Sequence, residues 1–205
     1  MLTSIVVFDD FTDIDVFLMW DLLNRVQLSG WKVRLIGENI QHRSRTNIPI
    51  PMHGGLEMAA KSDAVLFASG PGVRAKLSDT RFLGAFELDP ERQLIGSMCA
   101  GSLLLAALGL LTRKRATTHP TVRQLLQAYD VNVVDKPFVS QGNIATAAGC
   151  LAAQHLVAWV VGQLAGERDR DEVIQSVQPI GSSGAFVLPH LPEQREQHLL
   201  RRADW

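Results

Sequence analysis

Short apolar runs alternate along the chain with stretches whose apolar positions recur at helical spacing, separated by polar or glycine-bearing turns. Ser4–Phe8 is a compact β-branched run and predicts a first strand. Asp9–Asp13 is a polar turn. From Ile14 to about Leu28, Ile14, Phe17, Leu18, Leu22 and Val26 share one helical face, with Asp21 the polar exception, and Gly30 ends the unit. Trp31–Ile36 alternates as a second strand. Ile48–Pro51 reads as a short edge strand because of its prolines, and Leu56–Lys61 as a turn of helix. An apolar strand is predicted at Asp63–Ala68, then the tight loop Ser69-Gly70-Pro71-Gly72, a helix over Ser78–Leu88 closed by Pro90, and a strand at Leu94–Met98. Cys99-Ala100-Gly101 then turns into a strongly apolar helical run reaching Leu111.

The second half keeps this rhythm. Arg115–Thr118 is a short strand ending at His119-Pro120, and Val122–Tyr129 a helix. Val131–Val134 and Phe138–Ser140 are short strands, and Gln141-Gly142-Asn143 is a hairpin turn into Ile144–Thr146. Ala147–Leu164 is apolar nearly all round, which predicts a buried helix. Gly166–Asp171 reads as a charged surface turn, Asp171–Val177 as a short helix, and Pro189–Trp205 as a charged tail. Strands separated by helices predict an α/β fold with a mostly parallel sheet sandwiched by helices. At 205 residues the expectation is one domain, 1–205, with its core over about 4–180.

Composition narrows the class. Apolar residues make up 46% and charged residues 20%, and the net charge is -1. No basic surface advertises nucleic acid or an anionic membrane, so neither is expected as a partner. Two cysteines are too few for a disulfide framework and fit a reduced, cytoplasmic setting. The N-terminus shows neither a basic n-region nor a long apolar h-region. Leu103–Leu111 is too short to span a bilayer, and the run from Leu151 to Val161 is broken by Gln154 and His155.

In parallel sheets a ligand site forms at the carboxyl ends of the strands, and the chemistry-bearing residues fall there. Cys99 sits at a strand-to-helix junction with the small neighbours Gly96, Ala100 and Gly101, the arrangement that projects a nucleophile. A helix N-terminus beneath it would favour the thiolate. Cys150 opens the long helix and reads as a packing residue. Asp9, Asp10, Asp13 and Asp15 follow the first strand or open its helix; Asp13 and Asp15 are candidate acids, or only acids favoured by a helix N-terminus. His119 ends a short strand. Pro71 lacks an N–H, so an oxyanion donor in its loop must come from Gly70, Gly72 or Val73. His42, His53, His155, His190 and His198 show no ligand spacing with Cys or acidic residues, so no metal is expected.

Together these residues resemble the DJ-1/PfpI superfamily, a branch of the class I glutamine-amidotransferase-like fold, over roughly residues 4 to 180. The resemblance rests on Cys99-Ala100-Gly101 before an apolar helix and on Ala116-Thr117-Thr118-His119-Pro120. It is supported by Thr12-Asp13-Ile14-Asp15, Ser69-Gly70-Pro71-Gly72 and Gly142–Gly149. It implies a flavodoxin-like sheet, a nucleophile elbow at Cys99, no cofactor, a small-molecule substrate and a homodimer. It also implies that Asp15, rather than Asp13, faces Cys99 as a protonated carboxyl against an ionised sulfur. Gly70, Gly72 and Ala100 are then the residues expected to hold substrate or oxyanion. Within the superfamily the chain is most similar to the isonitrile hydratase group, whose members convert an isocyanide to an N-substituted formamide. A hydroxyl residue is expected there directly after the cysteine, where this chain has Ala100. The resemblance also admits a DJ-1-like glyoxalase, deglycase or chaperone with Cys99, Asp15 and His119 as nucleophile, acid and proton shuttle. A redox sensor remains open, as does the ligand-sensing module of an AraC-type regulator.

Overall fold

Alternation in the first strand sets the architecture: Ile5 and Val7 enter one core, Val6 and Phe8 the other, and all four are fully buried. A computed structural model describes residues 1–180; the predicted tail Pro189–Trp205 lies outside the described residues. The strands are β1 (Leu2–Val6), β2 (Lys32–Ile36), β3 (Gln41–Arg43), β4 (Pro49–Pro51), β5 (Ala64–Phe67), β6 (Leu94–Met98), β7 (Arg115–Ala116), β8 (Asn132–Val133), β9 (Phe138–Gln141) and β10 (Ile144–Ala147). The helices are α1 (Asp13–Asn24), α2 (Val73–Leu77), α3 (Thr80–Gly84), α4 (Ser102–Ala107), α5 (Arg123–Gln127), α6 (Ala153–Leu164) and α7 (Glu167–Gln175).

Six strands form the main sheet in the order β2-β1-β5-β6-β10-β9, all parallel except β9, which runs antiparallel to β10. Helices α1, α6 and α7 pack together on one face and α2, α4 and α5 on the other. This is the mostly parallel, helix-covered α/β sheet that the alternating pattern predicts. The in-register pairs Val6–Phe67, Phe67–Ser97 and Ser97–Thr146 align the carboxyl ends of β1, β5, β6 and β10. Four adjacent loops therefore open on one rim, and the chain reverses its direction of growth across the sheet between β1 and β5.

Several elements differ from the sequence expectation. The first helix ends at Asn24, and of the helix expected over Ser78–Leu88 only α3 forms, opening where the Asp79 carboxylate accepts from Phe82 N–H at 2.9 Å; α2 precedes that range and is not foreseen in the sequence. The apolar run after Gly101 is helical only to Ala107, because Gly109 takes φ 76. The long helix starts at Ala153, since Ala147 still belongs to β10. The charged Gly166–Asp171 segment is mostly helix α7, entered through Gly166 at φ 104. The proline-bearing β4 pairs with β3, missed in the sequence, as a separate hairpin. That hairpin braces the loop after β1: Arg43 N–H donates to the Asp9 carboxylate at 2.9 Å, and Asp10 N–H to the Arg43 carbonyl at 2.8 Å.

Candidate active site

β6 delivers Cys99 onto the rim with φ 43, in the left-handed region that non-glycine residues avoid. Two hydroxyls hold the turn by its carbonyl: Ser102 Oγ and Thr118 Oγ1 donate to the Cys99 carbonyl at 3.0 and 3.1 Å, and the two oxygens are 2.7 Å apart. The elbow predicted from small neighbours is therefore present, and its support comes from the Thr-Thr-His-Pro segment.

The loop after β5 is sewn to the loop after β1. Thr12 N–H donates to the Ser69 carbonyl at 2.7 Å and Gly72 N–H to the Asp10 carbonyl at 3.3 Å. A side chain on Gly70 or Gly72 would strike the backbone at Asp10–Thr12 or Asp9, so both glycines serve close packing. Of the donors expected in this loop, Gly72 is engaged, and Val73 N–H bonds the Gly70 carbonyl at 3.1 Å. Gly70 N–H is left as the loop's available donor. Ala100 N–H points into the same region and donates to Ser69 Oγ at 3.0 Å.

Asp13 and Asp15, in the same turn of α1, part company. Asp13 accepts from Thr46 Oγ1 at 2.7 Å; despite slight burial, hydrogen bonds from Ser44 and Thr46 hold its pKa below the usual carboxylate range. Asp15 is 1% exposed and faces Cys99. Burial pushes its carboxyl up, against the opposing pull of Cys150, Cys99, His119 and Ser69. Its Oδ1 has no hydrogen-bond partner among the described residues.

Cys150 also comes to this point. It begins the turn Cys150–Ala152 after β10, and its sulfur, that of Cys99 and a carboxylate oxygen of Asp15 lie within 4.8 Å of one another. The sequence reads it as a packing residue, and Gly149, which takes φ 87 just before it, turns the chain after β10 without announcing that contact. Ser69 and Thr118 stand in motifs that carry the resemblance, but their contacts, like that of Ser102, have no local sign in the sequence.

The thiol electrostatics run opposite to the sequence expectation. Burial, then the Asp15 and Cys150 charges, push the Cys99 thiol well above its ordinary range, outweighing a hydrogen bond from Gly149 N–H. Burial and Asp15 push Cys150 up to about 11. The helix expected to favour a thiolate is six residues long and begins after a 3-10 turn, so its dipole loses to burial and a buried carboxylate. Burial thus favours the protonated form of both partners, the Cys99 thiol and the Asp15 carboxyl.

His119 stands apart. It is exposed, with Nδ1 2.8 Å from Thr121 Oγ1, and acts on Asp15 only through space.

Known proteins bear on the assignment at this point. The family model described as DJ-1/PfpI family matches residues 3–163. An isonitrile hydratase of Pseudomonas putida is 28% identical over 128 residues, 58% of this chain and 56% of that protein, so the match spans little more than half of that relative's length. Protein dj-1beta of Drosophila melanogaster is 25% identical over 169 residues, 80% of this chain and 90% of that protein. The solved structure of Schizosaccharomyces pombe DJ-1 superposes with a TM-score of 0.75 at 19% identity, covering 87% of this chain and 100% of that one, a likeness of fold. No described helix is long and apolar enough to cross a membrane. With the elbow, the facing acid and the sheet order in place, the chain belongs to the DJ-1/PfpI family.

Proposed function

We propose that the chain is a cysteine-dependent hydratase that adds water to an isonitrile, giving an N-substituted formamide. The observation that carries this reading is the buried Asp15 carboxyl set against the Cys99 sulfur at the strand ends. In the first step the sulfur bonds the terminal isonitrile carbon, and the thiol proton passes through Asp15 to that carbon, giving a thioimidate. Water then adds to the same carbon while Asp15 carries its proton to nitrogen. Collapse forms the formyl C=O, breaks the C–S bond and returns the hydroxyl proton to sulfur, so no proton is gained or lost.

Gly70 N–H is the donor offered to charge developing on the bound substrate, while Ala100 N–H holds Ser69 Oγ beside it. The hydroxyl that the resemblance expects after the cysteine is absent at Ala100, and Ser69 Oγ, hydrogen-bonded to Ala100 N–H at 3.0 Å, stands in for it. The 28% identical isonitrile hydratase supports the same reading.

The test supplies cyclohexyl isocyanide and methylglyoxal in parallel and follows formamide and 2-hydroxy acid by chromatography. Formamide is the expected product. Asp15→Asn should slow its formation about 100-fold or more, the usual scale for a lost acid–base group. Asp13→Asn should stay near the parent rate, because that carboxylate is turned to Thr46. Methylglyoxal consumption with isocyanide untouched would replace the hydratase with the glyoxalase-like alternative.

A further inference from the structure

We propose that Asp15, Cys99 and Cys150 form a binding site for one zinc-like divalent cation, which reversibly closes the nucleophile. The three residues are far apart in sequence, which is why ligand spacing gave no sign of them. Their ligand atoms nevertheless lie within 4.8 Å of one another. Around a tetrahedral zinc with bonds of roughly 2.0–2.3 Å, neighbouring ligand atoms stand about 3.5–3.8 Å apart. A contraction of about 1 Å brings all three onto one ion.

An independent observation points to a ligand at the same place. Asp15 is 1% exposed, yet its buried Oδ1 has no hydrogen-bond partner, and no ion pair among the described residues reaches this carboxylate. Buried polar atoms are ordinarily satisfied. A cation held by the two sulfurs would take a carboxylate oxygen of Asp15 as its third ligand.

The donor set selects the ion. Two thiolates and one carboxylate suit borderline-soft zinc and leave a fourth tetrahedral position for water, whereas magnesium and calcium prefer all-oxygen shells. Cys150 is half-buried while Cys99 and Asp15 are buried, so the ion enters from the Cys150 side. Binding exchanges protons for metal: one divalent ion and two thiols give a metal dithiolate and two released protons. The Cys99 sulfur lone pair is then committed to the ion and cannot attack carbon. The cation acts as a competitor of substrate, which extends beyond the proposed hydratase reading and does not depend on it.

Cobalt(II), a spectroscopic stand-in for zinc, tests this on the full chain after chelation and desalting. One equivalent should produce a sulfur-to-cobalt charge-transfer band, abolished by zinc and unaffected by magnesium. Cys150→Ala should remove about half of that band per bound ion and weaken affinity at least about tenfold; Asp15→Asn should weaken affinity to a similar degree while keeping the band. Cys150→Ser, which preserves size and polarity, serves as a second variant, and circular dichroism confirms that each variant is folded. The absence of a charge-transfer band in the parent, or a band unchanged in both Cys150 variants, would overturn the site. None of these readouts requires isocyanide turnover, so failure of the hydratase reading leaves the result interpretable.

Discussion

Two cysteine-bearing turns meet at the rim of the sheet, and they reach it by different backbone routes. Both follow neighbouring parallel strands, β6 and β10, and both pass through a 3-10 turn into a helix. In the first, Cys99 itself takes the positive φ of 43; in the second, Gly149 takes φ 87 and Cys150 follows it. A non-glycine residue in that region costs roughly 1–2 kcal/mol, and glycine pays little of it. The first turn is accordingly held from outside by Ser102 and Thr118, whereas the second closes on its own backbone through Ala152 N–H to the Gly149 carbonyl at 2.7 Å. The strained turn presents the sulfur assigned as nucleophile, and the relaxed turn presents its half-buried companion. Strain and external bracing thus mark the residue whose direction matters.

Removing the braces should have the largest effect on the fold. Ser102→Ala and Thr118→Val each leave the Cys99 carbonyl one donor, so each should cost about 1 kcal/mol in denaturant unfolding. The double variant leaves a buried carbonyl unmet and should cost about 3 kcal/mol or more, exceeding the sum of the singles. Simple additivity would show that the two hydroxyls do not share this acceptor. A smaller loss is expected on the other turn. Space is open where a Gly149 Cβ would stand, so Gly149→Ala should cost only the backbone penalty of φ 87, ψ 128, about 1–3 kcal/mol, measured the same way. A larger loss would mean that this turn is braced by more than its own backbone.

The same contrast explains what the sequence disclosed. The strands β1, β5 and β6 are buried nearly throughout and edge strand β2 alternates buried and more exposed positions, so each is legible in the sequence to within a residue or two. Helix ends are hard to read from sequence, because single groups decide them: the Asp79 cap sets the start of α3, and the positive φ at Gly109 cuts short a continuous apolar pattern. Cys99 was legible because its elbow is local. Separating Asp15 from Asp13 required the resemblance, since both sit in one helical turn and only the tertiary contacts with Thr46 and Cys99 distinguish them. Cys150 was illegible for a related reason. Its partners lie on α1 and after β6, and nothing near it in sequence announces them. The direction of the Cys99 pKa was missed because the dipole argument is local while burial and the Asp15 charge are tertiary.

The last prediction concerns proton affinity and disturbs the fold least. In metal-free protein, alkylation of Cys99 should rise only above the ordinary thiol range near 8.5, because burial and the Asp15 charge oppose the thiolate. Asp15→Asn removes that charge and should move the Cys99 profile to lower pH; a profile that stays in place would show burial acting alone. Cys150, with its thiol pushed up to about 11 and its side chain half-buried, should label ahead of Cys99 on peptide mapping. The sign for stability follows from the same shifts. A thiol whose folded pKa is raised keeps its proton where the unfolded chain has lost it. Its contribution is therefore complete below about 8.5 and declines as pH rises through the folded value, about 11 for Cys150. Denaturant midpoints taken between neutral and strongly alkaline pH should fall over that window in the parent and fall less in Cys150→Ala. Cys99 labelling with a midpoint below 8.5 in the parent would instead mean that the pair rests as a thiolate beside a protonated carboxyl, with the helix end prevailing over burial.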